Sequence, residues 1–314
     1  MIDIKENESL AQHTTFRIGG PAKYFCSVSD SKELREAVAW ADEKNIEYKV
    51  IGGGSNLLVS DSGYYGLVIK YFGGKIEITG EVLTAMAGAP LSLVMNESLK
   101  AGLAGLEWAA GIPGTLGGAV CNNAGAYGGE VSQNFLEAEF LQKGKAKTLT
   151  AKDFNFGYRS SGLKEGKIKG ALLSIKLNLR QASTEEISQI QEGIKNNLAD
   201  RISKASEGGS VGSTFRNFVM SEEEINKFKE KFPQLPDQFV GYQKVPAAWL
   251  IDECGLKGKK IGGAMVSEKH AGKITNVGGA TAEDVIMLIS IVKQKVRSKF
   301  SLQLIEEMEY LGFN

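Results

Sequence analysis

Residues 102–129 read GLAGLEWAAGIPGTLGGAVCNNAGAYGG, and the fold turns on how this stretch is understood. Nine of its 28 residues are glycine, yet neither the 3.6-residue period of an amphipathic helix nor the alternation of a strand is evident. A run this long without elements of its own is either functional or disordered. Leu103, Leu106, Trp108, Ile112, Leu116 and Val120 supply apolar anchors, which argues for function. A second glycine turn precedes it, Ile51-Gly52-Gly53-Gly54-Ser55-Asn56, after a strand-like run. Consecutive glycines permit positive φ and let main-chain N–H groups converge on an anion such as a phosphate. Neither the G-x-G-x-x-G fingerprint nor a G-x-x-x-x-G-K-[ST] loop occurs, so both common nucleotide loops are excluded. Alone, Gly52–Asn56 reads equally as a flexible surface turn. Taken together, the two segments suggest a dinucleotide held between them.

Composition narrows the class. Lysine plus arginine and aspartate plus glutamate each total 37, so no long-range field draws the chain to nucleic acid or an anionic membrane. Glycine makes up 38 of 314 residues, well above the usual share of about 7%. Proline, at 6, is too scarce for a low-complexity chain. Two histidines and three scattered cysteines leave no set of ligands for a metal, and the cysteines read as reduced thiols. The opening MIDIKENESLAQ is neither basic nor apolar, and the strongest apolar helical stretch, Val285–Val292, is far short of a membrane span. A cytoplasmic protein with no membrane insertion is expected.

Strands are expected at Lys23–Val28, Glu47–Ile51, Leu67–Tyr71, Lys75–Thr79 and Val82–Ala87. Asp30 with Glu33 caps a helix carrying Leu34, Val38 and Ala41. Glu137–Gln142 and Lys145–Leu149 flank a Lys143-Gly144 turn as a hairpin, and Ala171–Leu179 adds a strand. Ser183 with Glu186 opens a connecting helix whose stripe is Ile187, Ile190, Ile194, Leu198 and Ile202. Further helices are expected after Ser221, over Pro246–Cys254 with Gly255 beyond, and over Thr281–Phe300, followed by a strand over Leu302–Leu311.

Several motifs carry candidate chemistry. Gly208-x-Ser210-x-Gly212 matches a nucleophile elbow, with Asp252 and His270 following in hydrolase order. No apolar strand precedes Ser210, which counts against that reading. Arg159 stands between Tyr158 and Ser160-Ser161 in a loop, and Gly212–Asn217 is a turn of small residues; each is ambiguous alone. Glu306 and Glu307 fall on opposite faces of a strand.

In this order, His13-Thr14-Thr15-Phe16-Arg17-Ile18-Gly19-Gly20, Gly52–Leu57, Ala110–Ala119, Asn123–Gly128, Gly157-Tyr158-Arg159, Gly212–Asn217, Ala248–Ile251 and Ser267–Ala271 resemble the UDP-N-acetylenolpyruvoylglucosamine reductase family. The resemblance runs from about His13 to Gly312. It implies an α+β fold: a two-lobed FAD-binding domain of the vanillyl-alcohol oxidase/PCMH type, residues 1–182 with lobes near 1–73 and 74–182. A C-terminal α+β substrate-binding domain with its connecting helix, 183–300, and a strand, 301–314, with a catalytic glutamate complete it.

The implied reaction is NADPH-dependent, FAD-mediated reduction of UDP-N-acetyl-3-O-(1-carboxyvinyl)glucosamine to UDP-N-acetylmuramate, a peptidoglycan precursor. Hydride goes from flavin N5 to C3 and a proton from Ser213 to C2. The resemblance places catalytic roles on Arg159, Ser213 and Glu307. It places non-covalent FAD on Gly52, Gly53, Gly54, Ser55, Asn56, Gly111, Ile112, Pro113, Gly114, Gly118 and Gly125. The substrate is expected at Tyr158, Lys204, Arg216 and Asn217, with NADPH as co-substrate, no metal, no nucleic-acid partner and a monomeric state. Another flavin oxidoreductase of the same fold, such as a sugar or lactone oxidase, or a non-catalytic flavin or sugar-nucleotide binding module, are the alternatives.

The chain departs from the family pattern in four places. Leu-Glu-x-Glu-Val reads Leu304-Ile305-Glu306-Glu307-Met308, and Lys-Gln-Pro reads Lys204-Ala205-Ser206. Arg216 stands for a lysine and Phe218 for a proline. The 54 positions from Arg159 to Ser213 favour the class without an extra tyrosine loop.

Overall fold

A computed structural model describes residues 2–313; Met1 and Asn314, the outermost residues of the expected domains, lie outside them. The chain divides into two compact units, residues 2–9, 21–55 and 64–203, and residues 10–20, 56–63 and 204–313. The boundary thus falls after Ser203 rather than at 182, and two early segments, 10–20 and 56–63, belong with the later unit.

The first unit holds two larger sheets and two short two-stranded pairs among its described residues. Strand Pro21–Val28 pairs antiparallel with Lys5–Ser9 and parallel with Tyr64–Tyr71, which pairs parallel with Tyr48–Ile51. The helix Ser31–Glu43 supplies the crossover, and its start is the expected one: the Asp30 carboxylate accepts from Glu33 N at 2.8 Å. It buries Leu34, Ala37, Val38 and Ala41, the apolar stripe that its spacing dictates. The second sheet is antiparallel, in the order Lys145–Thr150, Phe135–Gln142, Ala171–Asn178, Val82–Met86, Ile76–Thr79. Its hairpin turns at Lys143 and Gly144, both with positive φ, the conformation a two-residue turn between twisted strands requires. One apolar core runs under both sheets, with Leu67, Ile69, Leu83, Phe140 and Ile175 wholly enclosed.

The glycine-rich stretch is more structured than its composition suggests. It contains a seven-residue helix, Leu116–Asn122, capped by the Thr115 hydroxyl, which accepts from Gly118 N at 3.3 Å. A short 3-10 turn, Glu107–Ala109, precedes it. The helix Thr184–Ser203 also differs from its sequence reading. Only Ile194 of its stripe is buried, while Leu198 and Ile202 are exposed.

The second unit is built on the helix Ala282–Phe300, whose Val285, Leu288, Ile289, Val292 and Val296 are buried. Thr281 and Asp284 form its capping box. The Asp61 carboxylate accepts from Ala282 N and Glu283 N at 2.9 and 3.1 Å, adding negative charge at the positive end of the helix. A small antiparallel sheet, Gly209–Ser210, Ile274–Asn276, Ala264–Val266, Lys260–Ile261, packs beside it. The expected terminal strand is shorter than Leu302–Leu311: Glu309–Leu311 pairs parallel with Leu57–Val59, and a single bridge joins Glu306 to Phe215. Among the described residues no helix is long and apolar enough to cross a membrane.

Candidate active site

In the first unit the strand Tyr48–Ile51 delivers the Gly52–Ser55 turn against the Pro113–Thr115 turn. A Cβ on Gly52 would sit 2.2 Å from Thr115 Oγ1, and one on Gly53 would sit 3.0 Å from Gly114 Cα. Glycine permits this close approach of the Gly52–Gly53 backbone to the Thr115 side chain and the Gly114 main chain. Ser55 Oγ closes the contact, donating to Pro113 O at 3.0 Å. Of the eleven positions expected to hold FAD, ten lie in this unit, and Gly52–Ser55 and Gly111–Gly114 form apposed loops. Gly118 lies on the helix beyond, and Gly125 packs on Gly129 and Glu130. Loops that offer backbone rather than side chains suit a pyrophosphate, so these residues fit the cofactor. Asn56 is the exception. It lies in the second unit, its main-chain O accepting from Glu309 N at 2.9 Å and its Nδ2 donating to Glu307 O at 3.3 Å.

Arg159 is bound to the same glycine-rich region. It occupies a tight turn closed by reciprocal 3.0 Å hydrogen bonds between Gly157 and Ser160, with φ at +55°. Positive φ in a residue with a side chain costs on the order of 1 kcal/mol or more and persists where its surroundings enforce it. Those surroundings are visible. The guanidinium Nη2 donates to Gly125 O, Nη1 donates to Asn123 O at 3.4 Å, and the Tyr158 ring lies 5.3 Å away. Asn123 is the organiser that sequence reasoning missed. Wholly buried and itself left-handed, it donates from Nδ2 to Gly157 O and to Glu130 Oε1, both at 3.0 Å, and accepts from Ser132 N at 3.0 Å. An asparagine before Ala-Gly is the one sequence signal for it, since Asn tolerates that backbone best among non-glycine residues.

Ser213 and Glu307 come together in the second unit. Ser213 is exposed at the tip of a turn entered through Gly212, while Val211, Thr214 and Phe215 on either side are buried. Thr214 O accepts from Glu307 N at 2.8 Å, and Arg216 N donates to Ile305 O at 2.9 Å. The two segments therefore run side by side, antiparallel. Glu306 binds Lys293 of the long helix through Oε1 at 2.8 Å and lines a groove of about 460 Å³ along that helix. Glu307, next to it, is tied through its main chain to both Thr214 and Asn56.

Of the expected substrate residues, Asn217 uses Oδ1 to accept from Ala247 N at 3.1 Å, at the start of the helix Ala247–Glu253. Lys204 begins the second unit just beyond the connecting helix, and its main-chain O accepts from Lys273 Nζ at 2.7 Å. His270 lies near these lysines. Burial, and then the charge of Lys273, hold its imidazole below the usual range. Ser210 lies in a short strand paired to Thr275, with no helix after it, so no nucleophile elbow forms.

The fold and these loops define a flavoprotein oxidoreductase: residues 22–151 match the FAD binding domain family, within a mixed α+β arrangement. Residues 203–311 match the C-terminal domain of UDP-N-acetylenolpyruvoylglucosamine reductase. The chain belongs to the UDP-N-acetylenolpyruvoylglucosamine reductase family. The reductase of that name from Clostridium botulinum strain Okra is 37% identical over 98% of this chain and 92% of its own length. The one from Caldicellulosiruptor bescii is 39% identical over 99% and 91%. The crystal structure of the reductase from Thermus caldophilus superposes with a TM-score of 0.74 at 30% identity, covering 99% of both chains.

Proposed function

We propose that this protein reduces the enolpyruvyl ether of UDP-N-acetyl-3-O-(1-carboxyvinyl)glucosamine to the lactyl ether of UDP-N-acetylmuramate, taking electrons from NADPH. The observation that carries the reading is the adjoining of the Ser213 turn and Glu307, held by the bond from Glu307 N to Thr214 O. FAD, held by the Gly52–Ser55 and Gly111–Gly114 loops, would supply the hydride chemistry that links NADPH to C3 of the substrate. The chain's own residues do the rest. The Arg159 guanidinium, fixed by its bonds to Gly125 O and Asn123 O, offers a delocalised cation to the carboxylate into which charge spreads from C2. Ser213 Oγ donates a proton to C2, and its exposure lets the resulting alkoxide recover a proton from solvent. Glu307, as a neutral carboxylic acid, donates a hydrogen bond to the substrate carboxylate. No imidazole is needed at any step.

Tyr158, Lys204, Arg216 and Asn217 are assigned to substrate binding, with Lys204 and Arg216 meeting the diphosphate. Residues 204–313 would carry the UDP-sugar, in the class without an extra tyrosine loop. The protein is assigned to the cytoplasm as a monomer, which sedimentation of the purified protein checks. The decisive experiment reduces the flavin with NADPH under anaerobic conditions and then adds the enolpyruvyl substrate. The oxidised flavin band should return. Ser213→Ala should leave NADPH-driven reduction intact and slow the second step by roughly 10²–10⁴-fold, the usual worth of a positioned proton donor. Equal loss in both steps would refute the assignment of Ser213.

A further inference from the structure

We propose that Lys273 is a positioning residue: it fixes Lys204 for the substrate's diphosphate and couples that lysine to the turn bearing Ser213. The inference rests on the function proposed above and names a residue not included there. Lys204 opens an irregular stretch between the helix Thr184–Ser203 and the strand Gly209–Ser210. Ala205 and Ser206 leave its backbone unrestricted, where a proline would lock φ. The far end of the stretch is held by the pairing of Gly209 and Ser210 with Asn276 and Thr275. The near end is held by Lys273, whose ammonium donates to the main-chain O of Lys204 at 2.7 Å. A carbonyl just past a helix C-terminus is a site where a cation is favoured.

Lys273 is itself fixed. Its amide donates to His270 O at 3.0 Å, and its carbonyl accepts from Ser267 N at 2.9 Å. The residues on either side clasp Thr214: Gly272 O accepts from Thr214 N at 2.8 Å, and Ile274 N donates to Thr214 Oγ1 at 3.1 Å. Thr214 is wholly buried and directly follows Ser213. One side chain thus joins the backbone register of the proton donor to the backbone of the diphosphate lysine. The surroundings suit an anion. Lys257 is paired with Asp252 at 2.6 Å, and burial, followed by the charge of Lys273, holds the nearby His270 imidazole below its usual range.

The test compares Lys273→Met and Lys273→Arg holoenzymes by separate half-reactions and steady-state kinetics. Lys273→Met should raise KM for the enolpyruvyl UDP-sugar roughly ten-fold or more, the worth of a charge-assisted bond. Its rate of flavin reduction by NADPH should stay near wild type, and Lys273→Arg should recover most of the loss. An unchanged KM overturns the proposal. So does a parallel loss of kcat and flavin reduction, or an arginine variant no better than methionine. If Lys273→Met does not fold, Lys273→Gln is measured in the same way; a several-fold rise in KM is expected and an unchanged KM refutes. A wild-type enzyme whose reduced flavin is not reoxidised by this substrate overturns the functional reading instead.

Discussion

Asn123→Ala removes three hydrogen bonds from a side chain with no solvent exposure, those to Glu130 Oε1, Gly157 O and Ser132 N. At about 1 kcal/mol for each bond, the loss is about 3 kcal/mol before the groups left behind are counted. The φ of +42° adds roughly 1 kcal/mol more, because alanine is strained where asparagine is tolerated. At 2–4 °C for each kcal/mol, the melting temperature should fall by about 8 °C or more. Asn123→Gly loses the same bonds without the strain and should recover about 1 kcal/mol. Function should suffer in one step only. Gly157 O anchors the turn carrying Arg159, so reoxidation of reduced flavin by substrate should slow by roughly ten-fold, while NADPH-driven reduction persists. Circular dichroism melts and stopped-flow absorbance measure the two effects. A fall of less than about 3 °C with unchanged substrate kinetics would refute the argument that Asn123 organises the Arg159 turn.

Glu306→Gln, which removes one partner of the half-buried Lys293 pair, should cost at most about 1 kcal/mol and leave turnover within about three-fold. Glu307→Gln should slow substrate reduction selectively; the reverse ranking would transfer the role to Glu306. Gly52→Ala drives a methyl group to 2.2 Å from Thr115 Oγ1 and should yield protein purified with little flavin, read from the absorbance ratio. Occupancy equal to wild type would show that the two loops are not the cradle. His270 has a lowered folded-state pKa, so on acidification the unfolded chain takes up a proton first. The stability contributed by the neutral ring is complete above about pH 6.5 and is lost as pH falls through the lowered value. Urea midpoints at pH 7.5 and 5 should therefore differ less in His270→Gln than in wild type.

Features set by neighbours in sequence were legible from the residues alone. Asp30 with Glu33 and Ser221 with Glu224 announce helix starts, and each cap closes as its spacing requires. The hairpin at Lys143-Gly144 is equally local. What escaped depends on distant partners. Leu116–Asn122 is too short for a periodicity to register, and its glycines count against it. The helix is nonetheless held by Thr115, whose place is set by Gly52 more than 60 positions away. The stripe on Thr184–Ser203 has helical spacing, but exposed Ile202 shows that an apolar face does not specify its own cover. In the candidate site, motif order proposes Ser213 and Arg159, whereas Asn123 and Lys273 came to notice through main-chain partners that no local pattern reveals. The ion pair of Glu306 with Lys293, distant in sequence, is likewise a contact that no local pattern announces.

The parallel pairing of Leu57–Val59 with Glu309–Leu311 has a consequence for biosynthesis. Leu57 leaves the ribosome some 250 residues before Glu309, its partner in register. Throughout that interval the strand is an open edge, and closing so large a loop is entropically slow. The first unit's own sheets close by residue 181 and do not need to wait. The nascent chain should therefore pass through a stage with one sheet system assembled and one strand awaiting its mate, the stage at which a chaperone has most to protect.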